Sequence, residues 1–217
     1  MYYLIGDIHG NLEELMSLVH KVKLDYQEGD TVIFLGDYID RGNFSFEVVE
    51  YLIALAKKLN VVFLKGNHED MLEKYLKGDE GGEAWLYNGG EATIRSYTKN
   101  YGSFKLPPSH ADFFRDLGMY YEGDDFIAVH AGLNPEEEDI YLQRERDLLW
   151  IREKFFRSGK KWDKTVIFGH TPTTLFSRKE GIMIDEERNI IALDNGIIFG
   201  NPLAGLRWPD KKIYYSD

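Results

Sequence analysis

Five short apolar runs in this chain each end in a small residue or directly in a residue type that binds metals. Tyr2-Tyr3-Leu4-Ile5-Gly6 leads to Asp7-Ile8-His9, Thr31-Val32-Ile33-Phe34-Leu35-Gly36 to Asp37, and Val61-Val62-Phe63-Leu64-Lys65-Gly66 to Asn67-His68-Glu69. Phe126-Ile127-Ala128-Val129 leads to His130, and Thr165-Val166-Ile167-Phe168-Gly169 to His170. The runs are rich in β-branched and aromatic residues, as buried strands are. Ligands in α/β sheets gather just beyond the carboxyl ends of the strands, so the repetition aims Asp, His and Asn side chains at one place. That is a way to build a metal site.

Between the runs the period changes. Asn11 can cap a helix in which Leu12, Leu15, Met16, Val19 and Val22 recur at helical spacing. Phe44 to Leu59 reads as a second helix with Val48, Val49, Leu52, Leu55 and Ala56 on its apolar side. Alternating strands and helices over this stretch imply crossover connections and parallel pairing. His68 to Leu76 and Tyr141 to Arg157 are predicted to be helical, and another helix is expected to start near Ser109. From Gly181 to Tyr215, short alternating runs separated by Asn, Gly and Pro predict antiparallel strands. The expectation is one α/β domain over residues 1–217, a β-sandwich of mixed sheets flanked by helices, with residues 75–125 as an elaboration over the site.

Composition narrows the function. The chain has no cysteine, so disulfides and thiolate metal sites are impossible and any metal must use nitrogen and oxygen donors. A formal net charge of −11 argues against broad binding to nucleic acid or anionic membrane, which needs a basic footprint. No apolar run is long enough for a membrane span and no signal segment is visible, so the default expectation is a cytoplasmic monomer.

Each cluster also has an ordinary explanation when taken alone. Asp7 after Gly6 suits a turn, Asp40 and Arg41 a solvated ion pair, and Asn67 a helix N-cap. His130 and His170 taken singly suit satisfied core or turn histidines, and Arg152 a helical surface residue. The conjunction is what ordinary explanations leave out: four of the six histidines fall at the strand ends.

The blocks Gly6-Asp7-Ile8-His9-Gly10, Gly36-Asp37-Tyr38-Ile39-Asp40-Arg41-Gly42 and Gly66-Asn67-His68-Glu69 occur in this order, followed by His130-Ala131-Gly132 and Gly169-His170-Thr171-Pro172. Over Met1 to about Gly200 the chain resembles the phosphoprotein phosphatases of the calcineurin-like metallophosphoesterase superfamily, above all the short bacterial and lambda-phage-type Ser/Thr phosphatases. Many relatives in the wider superfamily carry Gly-His-x-His at the last block. Here Pro172 stands in place of the second His, which favours the phosphatase branch.

The resemblance implies a four-layer αββα fold and two divalent ions, with Mn favoured and Fe or Zn also compatible with the donor set. It places the first ion on Asp7, His9 and Asp37, and the second on Asp37, Asn67, His130 and His170. Two ions roughly 3.5–4 Å apart would share a hydroxide for in-line attack on phosphorus. The resemblance further implies Arg41 and Arg152 on the phosphate, His68 as general acid and Asp40 as its orienting carboxylate. The expected substrate is a phosphorylated protein or small phosphoester. The alternative is a symmetrical dinucleoside tetraphosphate hydrolase; residues 75–125, with Trp85-Leu86-Tyr87-Asn88-Gly89-Gly90, would roof the site and decide between the two, and the aromatics of that segment are expected to form a local core in preference to stacking on a base. A module that keeps the metals but only binds phosphate would be expected to lack Asp40, Arg41 or His68, and all three are present.

Overall fold

The five runs are strands in the computed structural model, which describes residues 1–177 and 181–217. β1 (Tyr2–Ile5), β2 (Thr31–Phe34) and β3 (Val61–Phe63) pair in parallel. The helices α1 (Leu12–Asp25) and α2 (Ser45–Ala56) make the crossovers between them. α3 (Asn67–Lys77) follows β3, and α4 (Glu91–Tyr101) and α5 (Pro108–Arg115) complete this half. β4 (Tyr120–Glu122), β5 (Phe126–Val129), α6 (Glu145–Trp150), α7 (Glu153–Phe156) and β6 (Thr165–Phe168) begin the second half. β7 (Met183–Asp185), β8 (Ile190–Ala192), β9 (Ala204–Trp208) and β10 (Lys212–Tyr215) close the chain.

Two five-stranded sheets result, ordered β10-β9-β1-β2-β3 and β4-β5-β6-β8-β7. Strand parity explains how they stack. Leu4 and Ile33 of the first sheet and Phe126, Ala128, Ile167 and Ile191 of the second form one buried cluster between the sheets. Their neighbours Tyr3, Ile5, Val32 and Phe34 turn the other way and pack with Leu15, Leu18, Val48 and Leu52 of α1 and α2. Val129, Val166, Phe168 and Ala192 likewise pack outward on Leu148 and Phe155 of α6 and α7. Both faces of both sheets are therefore covered, which is why these strands read as continuous apolar runs. The layers are helix, sheet, sheet, helix.

The structure corrects three local expectations. Asn11 stands at the N-cap position of α1, but its amide donates back to the Ile8 and His9 carbonyls (2.7 and 2.9 Å) instead of capping. β8 pairs in parallel with β6 and is antiparallel only to β7, so the C-terminal strands are not uniformly antiparallel. The stretch expected as a helix from Tyr141 to Arg157 is broken into a single 3₁₀ turn (Ile140–Leu142), α6 and α7. Ile151 is extended, with φ −63° and ψ 143°, and this break takes Arg152 out of helical conformation. No helix among the described residues is long and apolar enough to cross a membrane.

Candidate metal centre

The carboxyl ends of β1, β2, β3, β5 and β6 meet where the two sheets adjoin. Backbone bonds hold the loops together: His9 N–H donates to the Asp37 carbonyl (2.8 Å), and Gly10 N–H to that of Tyr38 (2.9 Å). Five of the seven non-glycine residues with left-handed backbone among the described residues lie here: His9, Asp37, Asp40, Arg41 and His170. Such conformations are costly for side-chain-bearing residues and persist only where surrounding contacts fix them.

Asp37 is at the centre. Its Oδ2 lies 3.6 Å from His9 Nε2, and its Oδ1 lies 3.5 Å from His130 Nε2. Candidate ligand atoms of His9, Asp37 and His68 fall within 4.8 Å of one another, as do those of Asp37, His130 and His170. One carboxylate thus belongs to two clusters. Asn67 Oδ1 lies 2.9 Å from both His130 Nε2 and His170 Nδ1, which adds it to the second cluster. Asp7 stands against the wall of the site, both oxygens accepting from His170 N–H (3.1 and 3.0 Å). It is not within the tightest groupings.

The hydrogen-bond pattern indicates what this cradle suits. Nδ1 of His130 donates to the Leu35 carbonyl (2.8 Å) and Nδ1 of His9 to that of Ile39 (3.2 Å). A carbonyl only accepts, so each neutral ring turns the lone pair of Nε2 toward Asp37. Burial keeps these rings neutral: it drives the pKa of His9 well below the ordinary value and that of His130 down to about 3. It also raises Asp37 well above the carboxylate range, aided by the charge of Glu69, and Asp7 likewise, aided by Asp194 and Asp37. Converging lone pairs and buried carboxylates are unfavourable together unless a cation is shared among them. An all-nitrogen-and-oxygen set of this kind fits divalent Mn, Fe or Zn.

His68 differs from the other histidines. The Arg41 guanidinium can only donate, so at 3.3 Å from Arg41 Nη2 the His68 Nε2 is an acceptor. Nδ1 must then carry the hydrogen, which it gives to Asp40 Oδ2 at 2.7 Å. Its Nδ1 is engaged by Asp40 and its Nε2 by Arg41, while Nε2 also lies 4.0 Å from Asp37 Oδ2. Burial lowers the pKa of His68 to about 3 and raises that of Asp40 to about 7, the hydrogen bonds from Thr93 and Trp85 opposing the rise at Asp40.

Arg152 approaches from the break between α6 and α7 and donates through Nη1 to Thr171 Oγ1 (3.0 Å) and the His170 carbonyl (3.4 Å). A cavity of about 350 Å³ opens over the site, lined by His9, Asp37, Arg41, Asn67, His68, Arg152, His170, Pro172, Leu175, Asp194, Ile198 and Phe199.

Two contributors were not assigned from sequence. Glu69 is fully buried and accepts from the backbone N–H groups of Asp37 (2.9 Å), Tyr38 (2.9 Å) and Gly66 (3.0 Å), so its carboxylate shapes the β2 loop. Gly66 has to be glycine here, because a Cβ would lie 2.1 Å from Asp37 Oδ1. Asp194 lines the cavity beyond β8. Ile190-Ile191-Ala192-Leu193-Asp194 is a sixth run of the same form as the other five, and that was the available signal.

With this geometry in place, a match of the calcineurin-like phosphoesterase profile to residues 2–200 is decisive. The chain belongs to that family. A curated relative, the asymmetrical bis(5'-nucleosyl)-tetraphosphatase PrpE of Bacillus subtilis, is 28% identical over 236 residues, covering 96% of this chain and 91% of that protein. Among solved structures, one provisionally assigned as a diadenosine tetraphosphatase superposes with a TM-score of 0.70 at 22% identity, covering 99% and 91% of the two chains. A cold-active protein tyrosine phosphatase superposes with a TM-score of 0.63 at 17% identity, covering 100% and 80%. These two establish the shared fold. The chain is thus a metallophosphoesterase, a family that works with divalent metals, and its His and Asp clusters could hold them.

Trp85 belongs to a local aromatic core, as expected for this segment. It is wholly buried and packs on Tyr75 and Phe104, so it offers no face for a base.

Proposed function

We propose that the protein is a dinuclear-metal phosphomonoesterase whose preferred substrates are phosphate esters of alcohols, phosphoserine and phosphothreonine in proteins foremost. The supporting observation is the buried His68–Asp40 pair, of which His68 lines the cavity. A proton donor of this kind is worth most when the leaving group is an alkoxide, which departs poorly unless protonated. A nucleoside polyphosphate leaving group needs far less help.

In this reading Asp7, His9 and Asp37 hold one ion, and Asp37, Asn67, His130 and His170 hold the other. Divalent ions so held would supply Lewis acidity and lower the pKa of a bound water to give the nucleophile. The protein does the rest. Arg41 and Arg152 bind two non-bridging phosphate oxygens, for which the planar guanidinium is suited. When Arg41 turns to the phosphate, His68 Nε2 is free to take up a proton from solvent and pass it to the leaving oxygen. Asp40 keeps the ring oriented through Nδ1 and stabilises its cationic form, as carboxylates do for catalytic imidazoles. A water oxygen bonds to phosphorus and gives up a proton to solvent, the bond from phosphorus to the leaving oxygen breaks, and the alcohol departs with the proton that His68 took up at Nε2.

A second reading is favoured by the curated relatives, which are named as asymmetrical dinucleoside tetraphosphatases. That shifts the alternative from symmetrical to asymmetrical cleavage. Steady-state turnover of Mn-loaded enzyme on phosphoserine, phosphothreonine and phosphotyrosine peptides and on diadenosine tetraphosphate tests both readings. The proposal expects phosphopeptide hydrolysis to exceed that of the dinucleotide in kcat/KM. A dominant dinucleotide activity would overturn it, with AMP plus ATP marking asymmetrical cleavage and two ADP symmetrical.

A further inference from the structure

Asp40 is held from outside the cavity. Its Oδ2 accepts from His68 and also from the indole N–H of Trp85 at 2.8 Å, while its Oδ1 accepts from the Thr93 hydroxyl at 2.7 Å. The Asp40 N–H points to Thr93 Oγ1 (2.9 Å) and Ser45 Oγ (3.1 Å). Asp40, Trp85 and Thr93 are each wholly buried, and Trp85 and Thr93 lie outside the cavity lining.

The same segment grips the next residue. Arg41 N–H donates to the Gly89 carbonyl (3.2 Å) and Arg41 Nε to that of Asn88 (3.5 Å). Gly89 has φ +112°, and a Cβ there would lie 2.7 Å from Arg41 Cγ. A Cβ on Gly90 would lie 2.5 Å from the Trp85 ring. The π-helical turn Leu86–Gly90 therefore brings Arg41 and the indole together in one piece of backbone.

We propose that Trp85 and Thr93 are positioning residues for proton delivery: they fix both oxygens of Asp40 so that His68 faces the leaving group, while the intervening glycine turn sets Arg41 on the phosphate. The inference rests on the reading of His68 as general acid. It makes the segment from Trp85 to Thr93 part of the catalytic apparatus and not a substrate roof. Each hydrogen bond to the Asp40 carboxylate is charge-assisted and buried, the circumstance in which one donor matters most.

The test is a leaving-group series. Trp85→Phe removes the N–H and keeps an aromatic side chain of smaller size; Thr93→Val removes the hydroxyl at similar volume, and Thr93→Ser restores it. Each Mn-loaded variant is assayed on substituted phenyl phosphates from p-nitrophenyl to phenyl, and on an alkyl phosphate. Loss of one charged hydrogen bond is expected to lower kcat about 10- to 100-fold for the alkyl ester. For p-nitrophenyl phosphate, whose leaving group needs little protonation, the expected loss is under about 3-fold. KM and metal content should be unchanged, and Thr93→Ser should recover most of the alkyl activity.

A parallel loss across the whole series, or no loss in Thr93→Val, overturns the inference. His68→Asn separates its failure from that of the underlying reading. If His68→Asn steepens the leaving-group dependence and Trp85→Phe and Thr93→Val do not, only the positioning role fails. If His68→Asn does not steepen it either, the general-acid reading fails and the inference with it.

Discussion

At the scale of the residue, the account depends on side chains of one type doing different work. Asp37 faces both histidine clusters, so Asp37→Asn is predicted to lose bound metal and activity together; elemental analysis that finds both ions retained would refute a shared ligand. His68 has both nitrogens engaged by Asp40 and Arg41. His68→Asn should keep its metal content and lose about 10²- to 10⁴-fold in kcat on alkyl phosphates. Metal loss in that variant would make His68 a ligand instead. Which residues converge was legible from sequence because each lies within a few positions of a strand end, and the strand directions do the rest. Their supports were not legible. Trp85 reaches Asp40 across 45 positions and Glu69 reaches Asp37 across 32, and no local pattern marks such a pairing.

At the scale of the element, period and parity were readable, and breaks were not. The apolar spacing of residues 141–157 suits one helix, yet extended backbone at Ile151 divides it, and Arg152 reaches Thr171 from the break. A tertiary contact overrode local propensity. The parallel pairing of β8 with β6 was hidden because it depends on a chain reversal around β7 that alternation alone does not specify.

α3, which starts at Asn67, is tied down by Glu73. Its carboxylate accepts from Lys65 (2.5 Å) and also from Lys77, and these bonds lower its pKa from 4.5 to about 2. An acid with a depressed folded pKa gives stability that is present above its ordinary pKa and lost as pH falls toward the folded value. Glu73 is partly solvent-screened, so Glu73→Gln should cost on the order of 1 kcal/mol at neutral pH. Chemical denaturation at several pH values should show that difference vanishing toward pH 2. A difference that persisted there would mean packing, and not charge, is what Glu73 supplies.

At the scale of the whole molecule, two sheets covered on both faces place the ends of five strands from both sheets around one cluster of buried acids and neutral histidines. The fold therefore carries a cost that divalent ions would relieve, and stability should be linked to metal. At a hundredfold excess over Kd, one bound ion adds about 2.7 kcal/mol. For a chain of this size each kcal/mol moves Tm by about 2–4 °C, so chelation should lower the midpoint by several degrees. An unchanged midpoint would place no metal in the folded core. The most direct measurement is anomalous diffraction at the Mn edge from crystals grown with Mn. The account predicts two peaks per chain on either side of the Asp37 carboxylate, one toward His9 and the other toward Asn67, His130 and His170. A single peak, or peaks away from Asp37, would contradict it.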